Sequence, residues 1–372
     1  MSITLPLRAD LAGLSPYGAP QLDIPVCLNV NENPYSPSEH IIADIAQALS
    51  QTAAGLNRYP DRDFWPLRAA LADYLRAESH VQVSTEKIWA ANGSNEIMLH
   101  ILQAFGGPDR SILSFTPTYS MYHEYARDTH TRWVSTPRRS DFTLDIDAAI
   151  RTMRQENPAV VIIASPNNPT GTALPLADIA QLLEAARDTG PLIEGKRSAT
   201  LVVIDEAYAE FRRVGMPSAL ELHGTHPHLI VTRTMSKAFA MAGLRLGYMV
   251  AHPEVLEQIL LIRLPYHLSA VTQAVALVAI KHADELMSQV AAIRADRDAM
   301  AQWLVEQGCK VAESDANFVL FGRFDDRDAI FRALVERGVL IRAVGPEGWL
   351  RVSVGTPAEN TRFQSALLEV LP

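Results

Sequence analysis

The sequence predicts an α/β protein: a large unit with a mostly parallel central sheet flanked by helices, followed by a smaller α/β unit. Three observations predict it. The runs 160–164 (Val-Val-Ile-Ile-Ala) and 201–204 (Leu-Val-Val-Ile) are apolar throughout, without alternation, as strands buried on both faces of a parallel sheet are. Helical stripes lie between such runs, and Ile97, Met98, Ile101, Leu102 and Phe105 recur at the spacing of one buried helix face. Finally, 372 residues with 48% hydrophobic content suffice for two or three domains and a large core.

Residues 1–37 are rich in proline and asparagine and show little period, so they read as an extended arm packed on another part of the fold. A helix is expected over 39–49, then a loop at 57–61 and a second helix over about 66–77, with Pro66 at its start. A strand at 88–91 leads through Gly93-Ser94-Asn95 into the striped helix, which Gly106-Gly107 stop. Further strands are expected at 112–115, 160–164 and 201–204, with helices over 145–157 and 178–189. The segment 190–200 is charged and contains glycine, a surface excursion to which no chemistry is assigned. Strands at 229–232 and 247–250 bracket the lysine region, and a helix follows over 253–264. One long helical region is then expected to about 307, crossing into the smaller unit, where strands at 317–321, 339–343 and 350–354 alternate with helices.

Bulk properties exclude several functions. A net charge of −9 offers no basic field for nucleic acid or an anionic membrane. The two cysteines, Cys27 and Cys309, cannot form a disulfide framework and suit a reducing compartment, with the cytoplasm as the default. The first residues lack a targeting pattern, and no apolar segment approaches the ~18 residues of a membrane span. His223, His226 and His228 invite a metal reading, but a proline-broken loop without carboxylate or cysteine support reads as solvated. No metal site is expected, and no Gly-x-Ser-x-Gly elbow or His-Glu-x-x-His helix anchors a hydrolase reading.

The chemistry gathers around residues 232–248, where hydroxyls precede a lone Lys237, small residues follow it, and Arg245 stands eight positions on. Such a run suits a site that binds a phosphate and presents an amine to a carbonyl. Upstream, Asn167-Asn168 follow one buried strand, and Asp205-Glu206-Ala207-Tyr208 end the next. Open α/β sheets place ligands at those carboxyl ends. An acid there can bond a pyridinium nitrogen, while an asparagine amide and a tyrosine hydroxyl donate to a phenolate oxygen, which together describe pyridoxal phosphate. The glycine-led start of the helix at 94 aims free N–H groups at an anion, although Ser94 or Asn95 acting only as a cap explains the residues as well. Tyr119 can stack on a ring or simply fill the core.

These pieces lie in order along nearly the whole chain: Asn31-Glu32-Asn33-Pro34, Arg58-Tyr59-Pro60, Asn92 to Glu96, Pro117-Thr118-Tyr119, Ser165 to Gly171, Asp205 to Tyr208, Ser236 to Gly247 and Leu350 to Gly355. In this the sequence resembles the fold-type I, class II-like pyridoxal-phosphate aminotransferases, and within them the branch acting on histidinol phosphate. The resemblance implies the arm at 1–37, a large cofactor domain over 38–265 and a small domain over 266–372. It implies Lys237 as the lysine that carries the cofactor and moves the proton, Asp205 at the pyridine nitrogen, Asn168 and Tyr208 at the phenolate, and Tyr119 on the ring. Ser94, Asn95, Thr234, Ser236 and Arg245 then hold the phosphate, together with Tyr59 from the neighbouring subunit of a homodimer. Tyr17, Asn33 and Tyr266 face substrate by the same analogy; for the first two, turn-forming loops explain the composition equally well.

Arg342 and Arg351 sit in short apolar strands, where a buried arginine is costly unless paired with an anion; a protein carboxylate would serve as well as a substrate. By the resemblance, Arg351 grips the α-carboxylate of glutamate, and Arg342 the substrate phosphate. The implied reaction joins histidinol phosphate and imidazole-acetol phosphate to glutamate and 2-oxoglutarate in L-histidine biosynthesis. The alternatives are an aromatic (phenylalanine) aminotransferase, a phosphothreonine-type decarboxylase and a non-catalytic cofactor-binding module. No part is assigned to His267.

Overall fold

The computed structural model describes residues 5–371; residues 1–4 of the expected arm, and Pro372, lie outside the described residues. Seven strands form the central sheet, in the order Ile88–Ala91, Gly247–Val250, Leu229–Thr234, Leu201–Asp205, Val160–Ala164, Ser111–Thr116, Arg132–Pro137. Only Gly247–Val250 runs against its neighbours. Val160–Ala164 is buried along its whole length and Leu201–Asp205 along all but its first residue, as their unbroken apolar runs require. Helices including Ser94–Phe105, Leu176–Ala186 and Pro253–Ile262 turn their apolar stripes into the same core, through residues such as Ile97, Leu182 and Ile259.

The parallel strands deliver their carboxyl ends to one edge. Ala91, Thr116, Ala164, Asp205 and Thr234 all end there, and the antiparallel Gly247–Val250 begins there. A second core, with Val319, Phe321, Leu350, Val352 and Phe363, lies around Phe318–Gly322, Trp349–Ser353 and the Pro357–Leu368 helix. The arm joins this part of the fold through Val26–Cys27, which pairs in parallel with Val339–Leu340. Thr356 and Glu359 close a capping box at the start of the last helix.

Three expectations need correction. The long helical region breaks at His282 into Ala270–Lys281 and Ala283–Glu306; His282 has φ −103° and ψ 22°, and its ring is tied to Asp44 of the Glu39–Ala53 helix. The strand expected over 339–343 ends at Leu340, and Arg342 is joined to Arg351 only by an isolated bridge. The histidine loop is not solvated throughout. His226 and His228 are buried, with His228 Nε2 2.9 Å from the Leu183 carbonyl and His226 Nε2 3.1 Å from Glu184. The 190–200 excursion is an exposed hairpin, Leu192–Ile193 against Lys196–Arg197, turning at Glu194 and Gly195 with φ of 48° and 79°.

Candidate active site

A cavity of about 280 Å³ opens over the carboxyl edge of the sheet. Lys237 follows the Leu229–Thr234 strand and reaches into it, its Nζ donating to the Val30 carbonyl at 3.0 Å. Burial, then the Arg351 and Arg245 charges, lower its pKa to about 8 against the pull of Glu32. An amine so placed is available unprotonated far closer to neutrality than an exposed lysine.

Asp205 lies in the cavity wall, buried. Tyr122 donates to its Oδ2 at 2.7 Å and Thr232 to its Oδ1 at 3.0 Å. Burial raises its pKa, and these two donors pull the other way. Thr232 can reach it because the two residues are register partners on adjacent parallel strands. Neither Tyr122 nor Thr232 was singled out from the sequence; the register of neighbouring strands was the signal that would have found Thr232.

Tyr208 takes a 3.0 Å hydrogen bond from Asn31, and burial raises its pKa. Asn168 accepts from Arg351 Nη1 at 2.6 Å through Oδ1. That bond fixes the amide's orientation and leaves its NH₂ group to donate to something else. Its neighbour Asn167 is instead buried in the loop, bonded to Pro117, Thr118 and Thr170, and has a packing role. Tyr119 lines the same cavity.

At one end the Ser94–Phe105 helix begins, with Gly93 as its cap at φ 83°. A Cβ on Gly93 would lie 2.8 Å from the Arg245 guanidinium, and one on Gly247 would collide with the Ser94 backbone. Both glycines therefore let helix start, strand and arginine close together. Ser94, Asn95, Thr234, Ser236 and Arg245 all line this end. Thr234 donates to Ser236 at 3.0 Å, and Arg245 reaches Ser236 at 3.4 Å. Free helix N–H groups, hydroxyls and a guanidinium make an anion site.

At the other end stand Arg342 and Arg351, whose backbones exchange two hydrogen bonds of 2.9 Å. Directly paired residues point to the same face, so both side chains enter one cavity. Arg351 is buried over the Phe318 ring and gives Nη2 to the Asn29 carbonyl at 2.7 Å; burial and the neighbouring Arg342 lower its pKa to about 10. Arg351 Nε and Arg342 Nη1 are buried without a partner, two donors awaiting an acceptor. No carboxylate pairs with either arginine among the described residues, which removes the protein-internal alternative.

Tyr17 also lines the cavity, its hydroxyl accepting from Ser120 at 3.0 Å. Asn33, Tyr59 and Tyr266 do not. Asn33 donates to the Ala238 carbonyl at 3.2 Å, while Tyr59, 80% exposed, stacks on Tyr266 with ring centroids 4.6 Å apart. His267 packs flat on Trp89, bonds the Ala90 carbonyl at 2.9 Å, and accepts from Asn92 through its own carbonyl, so it braces the turn that precedes Ser94.

The model of the family Aminotransferase class I and II matches residues 23–367. The chain is 58% identical to a histidinol-phosphate aminotransferase of Thermobifida fusca, over 98% of this chain and 95% of that protein. It is 55% identical to one from Bifidobacterium adolescentis, over 99% and 95%. Among solved structures, the histidinol-phosphate aminotransferase of Sinorhizobium meliloti in complex with pyridoxal-5'-phosphate superposes with a TM-score of 0.82 at 25% identity, covering 93% of this chain and 91% of that one.

Proposed function

The chain belongs to the class I and II aminotransferases, and from that premise we propose that it exchanges an amino group between histidinol phosphate and 2-oxoglutarate, with imidazole-acetol phosphate and glutamate as the other pair, in L-histidine biosynthesis. The observation that carries the substrate reading is the pair Arg342 and Arg351, side by side over one cavity with unpartnered nitrogens. A guanidinium fork matches a carboxylate or a phosphate, and two suit a substrate set containing both. An aromatic amino acid, with one carboxylate, would leave Arg342 without an acceptor.

The donor set fits pyridoxal phosphate. The anion site at the start of the Ser94–Phe105 helix would hold its phosphate, Asp205 its ring nitrogen, Asn168 and Tyr208 its ring oxygen, and Tyr119 its face, all of them lining one cavity. When bound, that cofactor supplies an electron sink for the carbon whose proton is moved. Lys237 Nζ, its pKa lowered to about 8, would act as the base that takes the proton from the substrate carbon bearing the amine. Asp205, held by Tyr122 and Thr232, would accept a hydrogen bond from the ring nitrogen, and a cation there would offset the cost of burying its charge. Arg351 orients the α-carboxylate of glutamate, and through Asn168 also the amide beside the ring. Arg342 holds the substrate phosphate, and Tyr17 closes over it.

We further propose a homodimer in which Tyr59 reaches the neighbouring cavity's phosphate, since it is exposed here and does not line its own cavity. The two unpaired cysteines support a cytoplasmic setting, and no described helix is long and apolar enough to cross a membrane. The division into 1–37, 38–265 and 266–372 is supported by the second core, with the Ala270–Lys281 helix, whose Ala276 and Ala279 enter the first core, as the bridge.

The test is a half-reaction. Holoprotein mixed with histidinol phosphate should lose its lysine-bound cofactor absorbance rapidly, and with phenylalanine slowly. The reverse order would move the assignment to an aromatic substrate and leave Arg342 a structural residue.

A further inference from the structure

Outside the cavity, a cluster among the described residues has the composition of a metal site. His40 and Asp44 stand one turn apart at the start of the Glu39–Ala53 helix, and His282 and Glu285 stand three apart where Ala270–Lys281 gives way to Ala283–Glu306. Residues at these spacings share a helix face. The two pairs confront each other, with His40 Nε2 2.9 Å from Glu285 Oε2 and His282 Nε2 2.8 Å from Asp44 Oδ2. The imidazole rings meet edge to face, centroids 5.1 Å apart. Ligand atoms of His40, His282 and Glu285 all lie within 4.8 Å of one another.

We propose that His40, His282 and Glu285 bind one divalent ion of the zinc class. Two imidazoles and a carboxylate form a three-ligand set that water completes to a tetrahedron, and imidazole selects zinc over magnesium or calcium. A histidine ligand needs its other ring nitrogen held, and Ser38 Oγ lies 3.0 Å from His40 Nδ1, leaving Nε2 directed at Glu285. Asp44 orients His282; its second partner, Lys281 at 2.9 Å, offsets its charge and keeps it from dominating the site. Metal–ligand bonds of roughly 2.0–2.1 Å in a tetrahedron set the ligand atoms about 3.3 Å apart, a spacing between the 2.9 Å of the His40–Glu285 pair and the 4.8 Å that bounds the set.

The position gives the ion a consequence. The Glu39–Ala53 helix follows closely on the segment whose Asn29, Val30 and Asn31 line the cavity, while His282 is the break between the two helices leading to the second core. Bound metal would staple these together. Because it binds only the folded arrangement, it would raise the melting temperature in proportion to the logarithm of its concentration.

The experiment is calorimetric titration of tag-free holoprotein with zinc chloride, alongside thermal melting. One zinc per chain and a zinc-dependent rise in Tm are expected, with no response to magnesium. His40→Ala and His282→Ala, both outside the catalytic cavity, should each weaken zinc binding by at least about tenfold while metal-free melting and turnover stay near wild type. Glu285→Gln should weaken it as well. Absence of zinc binding, zinc binding that survives both histidine substitutions, or an equal response to magnesium would each overturn the proposal.

Discussion

Lys237 acts as a nucleophile only when neutral, and the groups that set its pKa come from distant parts of the chain. A lone lysine among hydroxyls and small residues could be found by reading; that its pKa falls to about 8 could not, because burial and the Arg351 and Arg245 charges come from elements far away in the chain. A testable sign follows. Only the neutral amine attacks a carbonyl, so capture of pyridoxal phosphate by stripped protein should quicken as pH rises towards about 8 and level off above it, rather than climbing to the ordinary 10.5. Arg351→Ala removes a neighbouring cation and should move the midpoint upward. Stopped-flow absorbance across pH 6 to 10 reads both, and a rate still climbing at pH 10 in the wild type would contradict the site. Asp205, Asn168, Tyr208, Arg342 and Arg351 were legible for a similar reason, each being an unusual residue type in a buried or loop-end setting. Tyr122 and Thr232 were not, since a tyrosine on a helix and a threonine in a strand look like core until the packed fold sets them 2.7 and 3.0 Å from Asp205.

At the scale of elements, the anion site depends on how closely the Gly247–Val250 strand approaches the start of the Ser94–Phe105 helix. A side chain at Gly247 would meet the Ser94 backbone, which cannot swing aside as a flexible side chain can. Gly247→Ala should therefore destabilise the protein by roughly 1–3 kcal/mol, as overpacking of a tight interior does, and shift the helix start enough to weaken cofactor retention. Urea melting and a fluorescence titration of the cofactor measure the two effects; an unchanged affinity would show that the close approach is not needed. The apolar strands were legible because burial on both faces leaves an unambiguous signature. The break at His282 was not, because neither proline nor glycine marks it. Arg342's departure from its strand was equally hidden, for the 339–343 run is apolar up to the arginine itself, whereas the chain pairs only as far as Leu340 before bridging to Arg351.

At the scale of the whole molecule, exposed apolar side chains include two stretches joined by the Tyr59–Tyr266 stack: Tyr59 and Trp65 in one, and Leu261, Leu264 and Tyr266 in the other, with Leu261 78% and Leu264 74% exposed. Exposed apolar side chains gathered in this way mark an interaction surface. The stacked Tyr59 and Tyr266 belong to it, which is why neither role could be judged from one chain's cavity. Leu261→Asp together with Leu264→Asp should give a monomer by light scattering and remove most turnover, because each cavity would lose the neighbour's Tyr59; a fully active monomer would contradict the shared site. The fold class was legible at this scale from apolar runs and helical stripes, while the exposed apolar surface was not, since exposure is a property of the packed chain.

The proposed reaction runs through Lys237. Borohydride reduction of the holoprotein fixes the cofactor to whichever lysine holds it, and peptide mapping then identifies that residue. Label on the peptide containing Lys237, and no stable label in Lys237→Ala, is the predicted result. Label at Lys87, Lys196, Lys281 or Lys310, or a Lys237→Ala protein that still turns over substrate at the wild-type rate, would contradict it.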